Sequence, residues 1–456
     1  MEIYKKQTLS ETFSIYFERR MAKILLLGII SGFPWVIIGS SLSLWLKEDG
    51  LSRSTIGWAG LIFGVYAFNY LWAPIVDRIR IPWLTNKLGH RRAWIVTMQI
   101  IILISLVCWS LIDPTTNLAL VITIGLIIAI ASATQDITVD ALRIEQIGKN
   151  EGKSMQAGAA MAVVGWWTGY KLGGVISLNS AEYFQQAGFQ NYWQLTFLIL
   201  GIIIILCNIG LMFVHELYNN ERQDSQAQTD KLIQEKIGSS GVIAKSTAWV
   251  SGTVAGPIIS FFKKNGFKIA FGILAFVFLF KIGEAFLGRM SIIFYKEIGF
   301  SKSDIALYSK GLGWITTVVF TLLGGLFAIR SGVIKAMFVS GILMASTNLL
   351  FSVLAWSGKS EWLFAVAVIF DDMAAAFATV AFVAFISLLV DRTYTATQYA
   401  LLASIGTAGR TTLAASSGAM VDWLNGDWGI FFIITAVMVI PSLIVLWYIR
   451  PKLKLQ

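Results

Sequence analysis

Arg410, Asp371 and Asp372 sit deep inside long apolar stretches, about 14 to 18 Å from a stretch end at about 1.5 Å per helical residue. A charge at such a depth costs about 2.5 to 3.5 kcal/mol in hydrocarbon, so each needs a partner, water or a function. A carboxylate there can bind and release a proton, and a cation can hold an anionic ligand. Asp371 and Asp372 are neighbours, so they point about 100° apart on a helix, and one can face a cavity while the other packs on an adjacent helix. Lys281 and Glu284 are three residues apart and share a face. They read either as an internal ion pair or as part of a polar cavity. Lys171 follows Trp166, Trp167 and Tyr170 on another stretch. Asp136, Asp140 and Arg143 follow at spacings of four and three, forming one stripe that suits either a structural latch or proton coupling.

The elements that must carry these groups are transmembrane helices. The 456 residues are 56% hydrophobic and 14% charged, far below the roughly 25% charged residues of soluble domains. Apolar blocks of about 20 residues match the thickness of a bilayer, and unbroken runs lack the alternation of a barrel strand. Twelve spans are expected, near 22-46, 55-76, 93-112, 117-140, 155-178, 193-214, 267-289, 305-329, 333-356, 362-389, 398-422 and 428-449. Placing both termini in the cytoplasm puts about 26 Lys and Arg in the tail and inner segments, against about five outside, the positive-inside bias. That bias accounts for the net charge of +10 without nucleic acid.

One long polar loop divides the chain into an N-terminal six-helix bundle (1-214), a cytoplasmic linker (215-266) and a C-terminal six-helix bundle (267-456). The stretch from Val254 to Lys264 suits either a helix on the inner membrane surface or a lead-in to the seventh span. The linker has no phosphate-binding glycine loop, so a gradient must supply the energy and no cofactor is expected. Two histidines and two cysteines, both cysteines in apolar blocks, exclude a zinc cluster and a disulfide framework. No nucleophile and base pair is visible, so an enzyme ranks below a transporter. A sensor that binds without flux ranks lower too. A monomer is expected.

The second span ends Ala73-Pro-Ile-Val-Asp77-Arg78, followed by Gly89-His-Arg91-Arg92, and the eighth ends Gly325-Leu-Phe-Ala-Ile329-Arg330. This resembles the major facilitator signature and its second copy, with Ala73 in place of a glycine and Ile329 in place of the acid. Asp77, Arg78, Arg91 and Arg92 read as a gating network; a purely topological role for the arginines is the other reading. Trp35, Tyr66, Trp166 and Trp167 are candidates for stacking on a sugar or a nucleobase, as well as for simple packing.

Further stretches resemble the AmpG muropeptide permeases of the peptide, acetyl-CoA and drug uptake group. They are Ala133-Thr-Gln135-Asp136-Ile-Thr-Val-Asp140, Lys281-Ile-Gly-Glu284-Ala-Phe286, and Ala396-Thr-Gln398-Tyr-Ala-Leu-Leu402 through Ala408-Gly-Arg410. The resemblance implies a major facilitator fold of twelve helices and import of anhydro-muropeptides, anionic sugar-peptides, by proton symport. It implies a bacterial inner membrane and a role in cell-wall recycling. By position it assigns Lys281, Glu284 and Arg410 to charged sites of the family, and Asp371 to one where permeases place Glu, which favours Asp371 over Asp372. Proton coupling is thus expected of Asp371, Glu284, Asp136 and Asp140. Substrate contacts are expected of Lys281, Arg410, Lys171, Trp167, Trp166, Tyr66, Asn69 and Gln135. Asn69 and Trp167 stand where the family commonly has Lys and Arg. The Gly165-to-Tyr170 run also resembles acetyl-CoA transporters, so a facilitator for acetyl-CoA or another organic anion is the alternative.

Overall fold

Runs of Leu, Ile, Val and Phe can enter hydrocarbon only if every peptide group is bonded within its own segment, which leaves the helix as the local solution. The computed structural model describes residues 9–51, 59–148, 150–216, 228, 231, 242–300, 313–414, 416–453 and 455. Among them helices dominate and no strand occurs. The chain folds as a polytopic membrane protein.

The first six spans are α1 (Arg19–Glu48), α2 in two pieces (Ile62–Leu71 and Ala73–Arg78), α3 (His90–Trp109), α4 (Leu118–Glu145), α5 (Gly152–Gln186) and α6 (Tyr192–Leu211). The second six are α7 in two pieces (Phe267–Leu279 and Ile282–Glu297), α8 (Gly313–Ser331), α9 (Val333–Ser357), α10 (Glu361–Leu389), α11 (Thr395–Ala414) and α12 (Trp428–Val437 with Ile440–Ile449). Eight helices among the described residues are long and apolar enough to cross a membrane: α1, α3, α4, α6, α7, α9, α10 and α12. The other four differ for local reasons. The expected spans at 55-76 and 305-329 begin in residues outside those described, leaving short apolar helices. Thr, Gln, Ser and Arg410 lower the hydropathy of α11, and α5 carries Lys153, Lys171 and Glu182. At 35 residues α5 also runs past the end expected at 178.

Within the first group α1 packs on α5 and α3 on α4 and α6; within the second α9 packs on α10 and α12, and α7 on α11. The groups meet where α5 touches α8 and α10, and where α11 touches α2 and α4. Glycine sets the closest approach. A side chain at Gly32 would collide with the carbonyl oxygen of Trp166, and one at Gly165 with that of Leu25, so α1 and α5 can touch along their backbones.

Most of the expected linker before residue 242 lies outside the described residues. Its last part is a helix, Val242–Asn265, docked on the start of α11. Gln398 Nε2 donates to the Pro257 carbonyl (2.9 Å), Ser260 Oγ to Asp391 (2.6 Å) and Lys264 Nζ to the Leu389 carbonyl (2.9 Å). This stretch is therefore neither a plain lead-in nor loose chain.

Candidate functional site

A cavity of about 490 Å³ lies between the two groups. From the first group it is lined by Gly28 and Ser31 of α1, Val139 and Asp140 of α4, and Trp166 and Trp167 of α5. The second group contributes Lys281, Glu284, Thr317, Thr321, Asp372, Thr379, Tyr399, Thr407 and Arg410, with apolar neighbours. The two walls differ in kind. Among the described residues the first carries a single ionisable residue, Asp140, and is backed by rings: Trp35 lies 4.5 Å from Tyr66 and 5.6 Å from Trp166, and Trp166 stacks on Tyr170 at 5.6 Å and 17°. The second carries Lys281, Glu284, Asp372 and Arg410.

The charged wall is built at a break in α7. Phe280 and Lys281 interrupt the helix between its two pieces, and Glu284 stands in the first turn of the second piece. Lys281 Nζ lies 3.2 Å from Glu284 Oε2 and donates to Thr379 Oγ1 of α10 at 2.8 Å. Discontinuous helices of this kind hold substrate sites in transporters because they place polar groups at mid-membrane. The ion pair and the cavity, separate readings of the sequence, coexist here.

Several expected site residues lie elsewhere. Asp372, not Asp371, lines the cavity, accepting from Thr316 Oγ1 at 3.0 Å. Asp371 turns to α9, where Thr347 Oγ1 lies 3.4 Å away; the angle between adjacent residues separates them, and the sequence does not say which faces in. Gln135 is buried against α1, its Nε2 donating to the Ile30 carbonyl at 2.8 Å. Tyr66 donates to Ser132 at 2.7 Å, behind the wall. Asn69 is buried between the groups and accepts from Ser404 at 3.2 Å. Lys171 stands beside Trp167, 5.9 Å from its ring centre, and is not among the cavity-lining residues. Gln135, Tyr66 and Asn69 make contacts between helices, which spacing alone cannot distinguish from ligand contacts. Asp136 is also outside the lining, held by Ser31 Oγ at 2.6 Å and Trp35 Nε1 at 3.4 Å.

Below the cavity two layers join the groups. In the first, Arg143 is fully buried, donates to Asp140 at 3.1 Å and to Ser387 of α10 at 3.1 Å, and lies over the Tyr399 ring. The stripe on α4 thus closes onto the other group, the geometry of a latch. In the second, Asp77 is buried at the end of α2 and accepts from Arg91 at 2.7 Å and from the Thr397 amide at 2.8 Å. The Ala396 amide lies 3.3 Å away, so the carboxylate caps the first turn of α11 across the groups. Arg91 also pairs with Glu145 at 2.9 Å. Arg392, from the turn before α11, donates to the Ile144 carbonyl at the end of α4. Arg92 takes another role: its amide and that of Arg91 donate to Glu216. Burial pushes the Glu216 carboxyl above its ordinary value, against the pull of those two amides. Arg78 ends α2 half-buried at the same layer.

Glu145, Thr397, Ser387 and Tyr399 are the functional candidates that the sequence left unassigned, and Asp372 is the one it ranked below Asp371. Thr397 and Tyr399 lie inside a motif already singled out, which was their only signal.

The family model of the Major Facilitator Superfamily matches residues 24–313. AmpG 4 of Rickettsia conorii (strain ATCC VR-613 / Malish 7), named as a transporter, is 33% identical, covering 96% of this chain and 98% of its own. The anhydromuropeptide permease of Escherichia coli (strain K12) is 28% identical, covering 98% of this chain and 82% of its own. Among solved structures, the proton:xylose symporter XylE is similar with a TM-score of 0.64 at 14% identity, covering 96% of each chain. FucP in the outward conformation is similar with a TM-score of 0.65 at 14% identity, covering 96% of this chain and 99% of its own. At that identity the likeness to the two structures is one of fold.

Proposed function

The chain belongs to the Major Facilitator Superfamily and within it resembles the AmpG permeases, and from that premise we propose that this transporter imports anhydro-muropeptides with protons across a bacterial inner membrane. The observation that carries the reading is the two-walled cavity. Its aromatic side suits sugar rings and its charged side suits the carboxylates of a peptide. The latch end, with Asp77 and Arg91, is read as cytoplasmic, the side that the excess of Lys and Arg in the loops favours. The bonds across α2, α4 and α11 then hold the cytoplasmic side shut, and import requires them to break as the two groups rock. Carboxylates in or beside the cavity, Glu284, Asp372, Asp140, Asp136 and Asp371, are the available proton sites. The resulting role is recovery of cell-wall fragments.

A second cargo class, acetyl-CoA or a related organic anion, is favoured by the Trp166–Tyr170 stack, since a nucleobase also seats on rings while phosphates meet cations. Thermal stability of the purified protein separates the two. A ligand present at a hundred times its Kd stabilises by about 2.7 kcal/mol, so an anhydro-muropeptide should raise the Tm by several degrees while acetyl-CoA leaves it unmoved. The reverse result transfers the cargo to the second class, and no shift with either removes both.

A further inference from the structure

The charged wall carries two cations, Lys281 and Arg410, and two carboxylates, Glu284 and Asp372, of which Asp372 accepts from Thr316 at 3.0 Å. Lys281 pairs with Glu284 at 3.2 Å. Arg410, reaching in from α11, is close enough for its charge to repel that of Lys281. Its own hydrogen bond is to Thr407 at 3.3 Å, and no carboxylate lies within 4 Å of its guanidinium among the described residues. Two further carboxylates come from α10: Asp371, close enough for its charge to repel that of Glu284 and held towards α9 by Thr347, and the cavity-lining Asp372. Lys281, Glu284 and Arg410 all line the one cavity. Fixed at a helix break and on two neighbouring helices, they form an anion site already occupied by the protein's own carboxylate.

Resting on the import reading above, we infer that a substrate carboxylate binds Lys281 and Arg410 by displacing Glu284 from Lys281, and that the displaced Glu284 takes the proton that travels with the cargo. The Lys281 N–H bond to Glu284 breaks and one to the ligand carboxylate forms. A proton from outside water then makes the new O–H on Glu284, and both cations keep theirs. The charge balance favours the exchange. Before it, Lys281 and Arg410 balance Glu284 and Asp372 to zero; after it, the same two cations balance Asp372 and the ligand anion, with Glu284 neutral, to zero again. Without the proton two carboxylates would crowd one desolvated site, where like charges disfavour joint ionisation. Cargo and proton therefore bind together, each strengthening the other by the same factor. Glu284 is the carrier in this scheme, and Asp371, turned to Thr347, is a fixed neighbour.

The test counts protons. Titration calorimetry in two buffers of different ionisation enthalpy gives the protons taken up per ligand bound. It is run with an anhydro-muropeptide bearing free carboxylates and with the same compound converted to primary amides. The acid should bind with uptake of about one proton and the amide with none. Where uptake is complete, acid binding should weaken about tenfold per pH unit as pH rises. In Glu284→Gln the acid should bind with no proton uptake and no pH dependence. Equal uptake with acid and amide, or uptake that survives in Glu284→Gln and disappears in Asp371→Asn, overturns the exchange. Should Glu284→Gln fail to fold, the acid and amide pair on the unaltered protein still decides. If neither compound binds the unaltered protein, the import reading falls, a result distinct from failure of the exchange.

Discussion

The two groups of helices meet at two related junctions on the latch side, and only one of them is charged. Where α2 meets α11, Asp77 caps a helix of the other group and holds Arg91, itself paired with Glu145. Where α8 meets α5, the corresponding position is Ile329, buried in the same apolar cluster as Ala328, Ala157 and Ala160. The polar contact there is lighter: Tyr16, from the segment before α1, donates its hydroxyl to the Leu322 carbonyl at 3.0 Å. The start of α5 is served from its own group, by Glu151 paired with Arg20 at 2.6 Å and by the Arg20 bond to Ser154. The difference separates two tasks. A charge cap resists parting strongly and then lets go, whereas an apolar seam can slide with small loss, so we propose that the α8–α5 seam is the pivot and the α2–α11 junction the lock.

Breaking the lock should have the largest effect. Asp77→Asn removes the charge from a buried pair, a loss of about 3 to 5 kcal/mol where the partner stays buried. Spin labels, one on each group at this end, should show a new long-distance population, and an unchanged distribution would remove the lock from the account. Crowding the pivot comes next. A side chain at Gly325 meets the Tyr16 hydroxyl and, at 2.5 Å, the Ala160 Cβ, so Gly325→Val should overpack by about 1 to 3 kcal/mol. A fall in Tm is the readout, and full stability would mean that the seam is loose. Tyr16→Phe loses one hydroxyl bond, about 1 kcal/mol, and should move the label distances far less than Asp77→Asn. Equal movement would make the pivot a second lock.

The smallest effect belongs to Arg20→Gln, a half-exposed pair worth about 0 to 1 kcal/mol. Burial alone would raise the Glu151 carboxyl, but bonding and attraction to Arg20 outweigh it and hold the group below its ordinary value. A depressed carboxylate stabilises above its unfolded value and loses that contribution as pH falls through the native one. Any stability difference between Arg20→Gln and the unaltered protein should therefore be full above about pH 4.5 and fade in more acid solution. A difference that grows in acid would mean another group is responsible.

Much of this was legible in the sequence. Hydropathy located the apolar spans, and the cost of intramembrane charge drew attention to Lys281, Glu284 and Arg410, which the fold gathers on one wall. The Asp77 and Arg91 motif marked the latch end, and the loss of the acid at Ile329 was visible before the seam was. What stayed hidden depends on rotation and on partners distant in the chain. A helix period cannot tell Asp371 from Asp372, or a buried Gln135 from a cavity-lining one. The bonds from Arg143 to Ser387 and from Asp77 to Thr397 join residues separated by 244 and 320 positions. Only docking of the two groups creates those pairs.

Uptake into proteoliposomes tests the central claim, coupling of cargo to protons, most directly. With the outside made acidic, a labelled anhydro-muropeptide should accumulate above its external concentration, and a protonophore should abolish the excess. Uptake that stops at the external concentration, and is the same with and without the gradient, would contradict proton-coupled import.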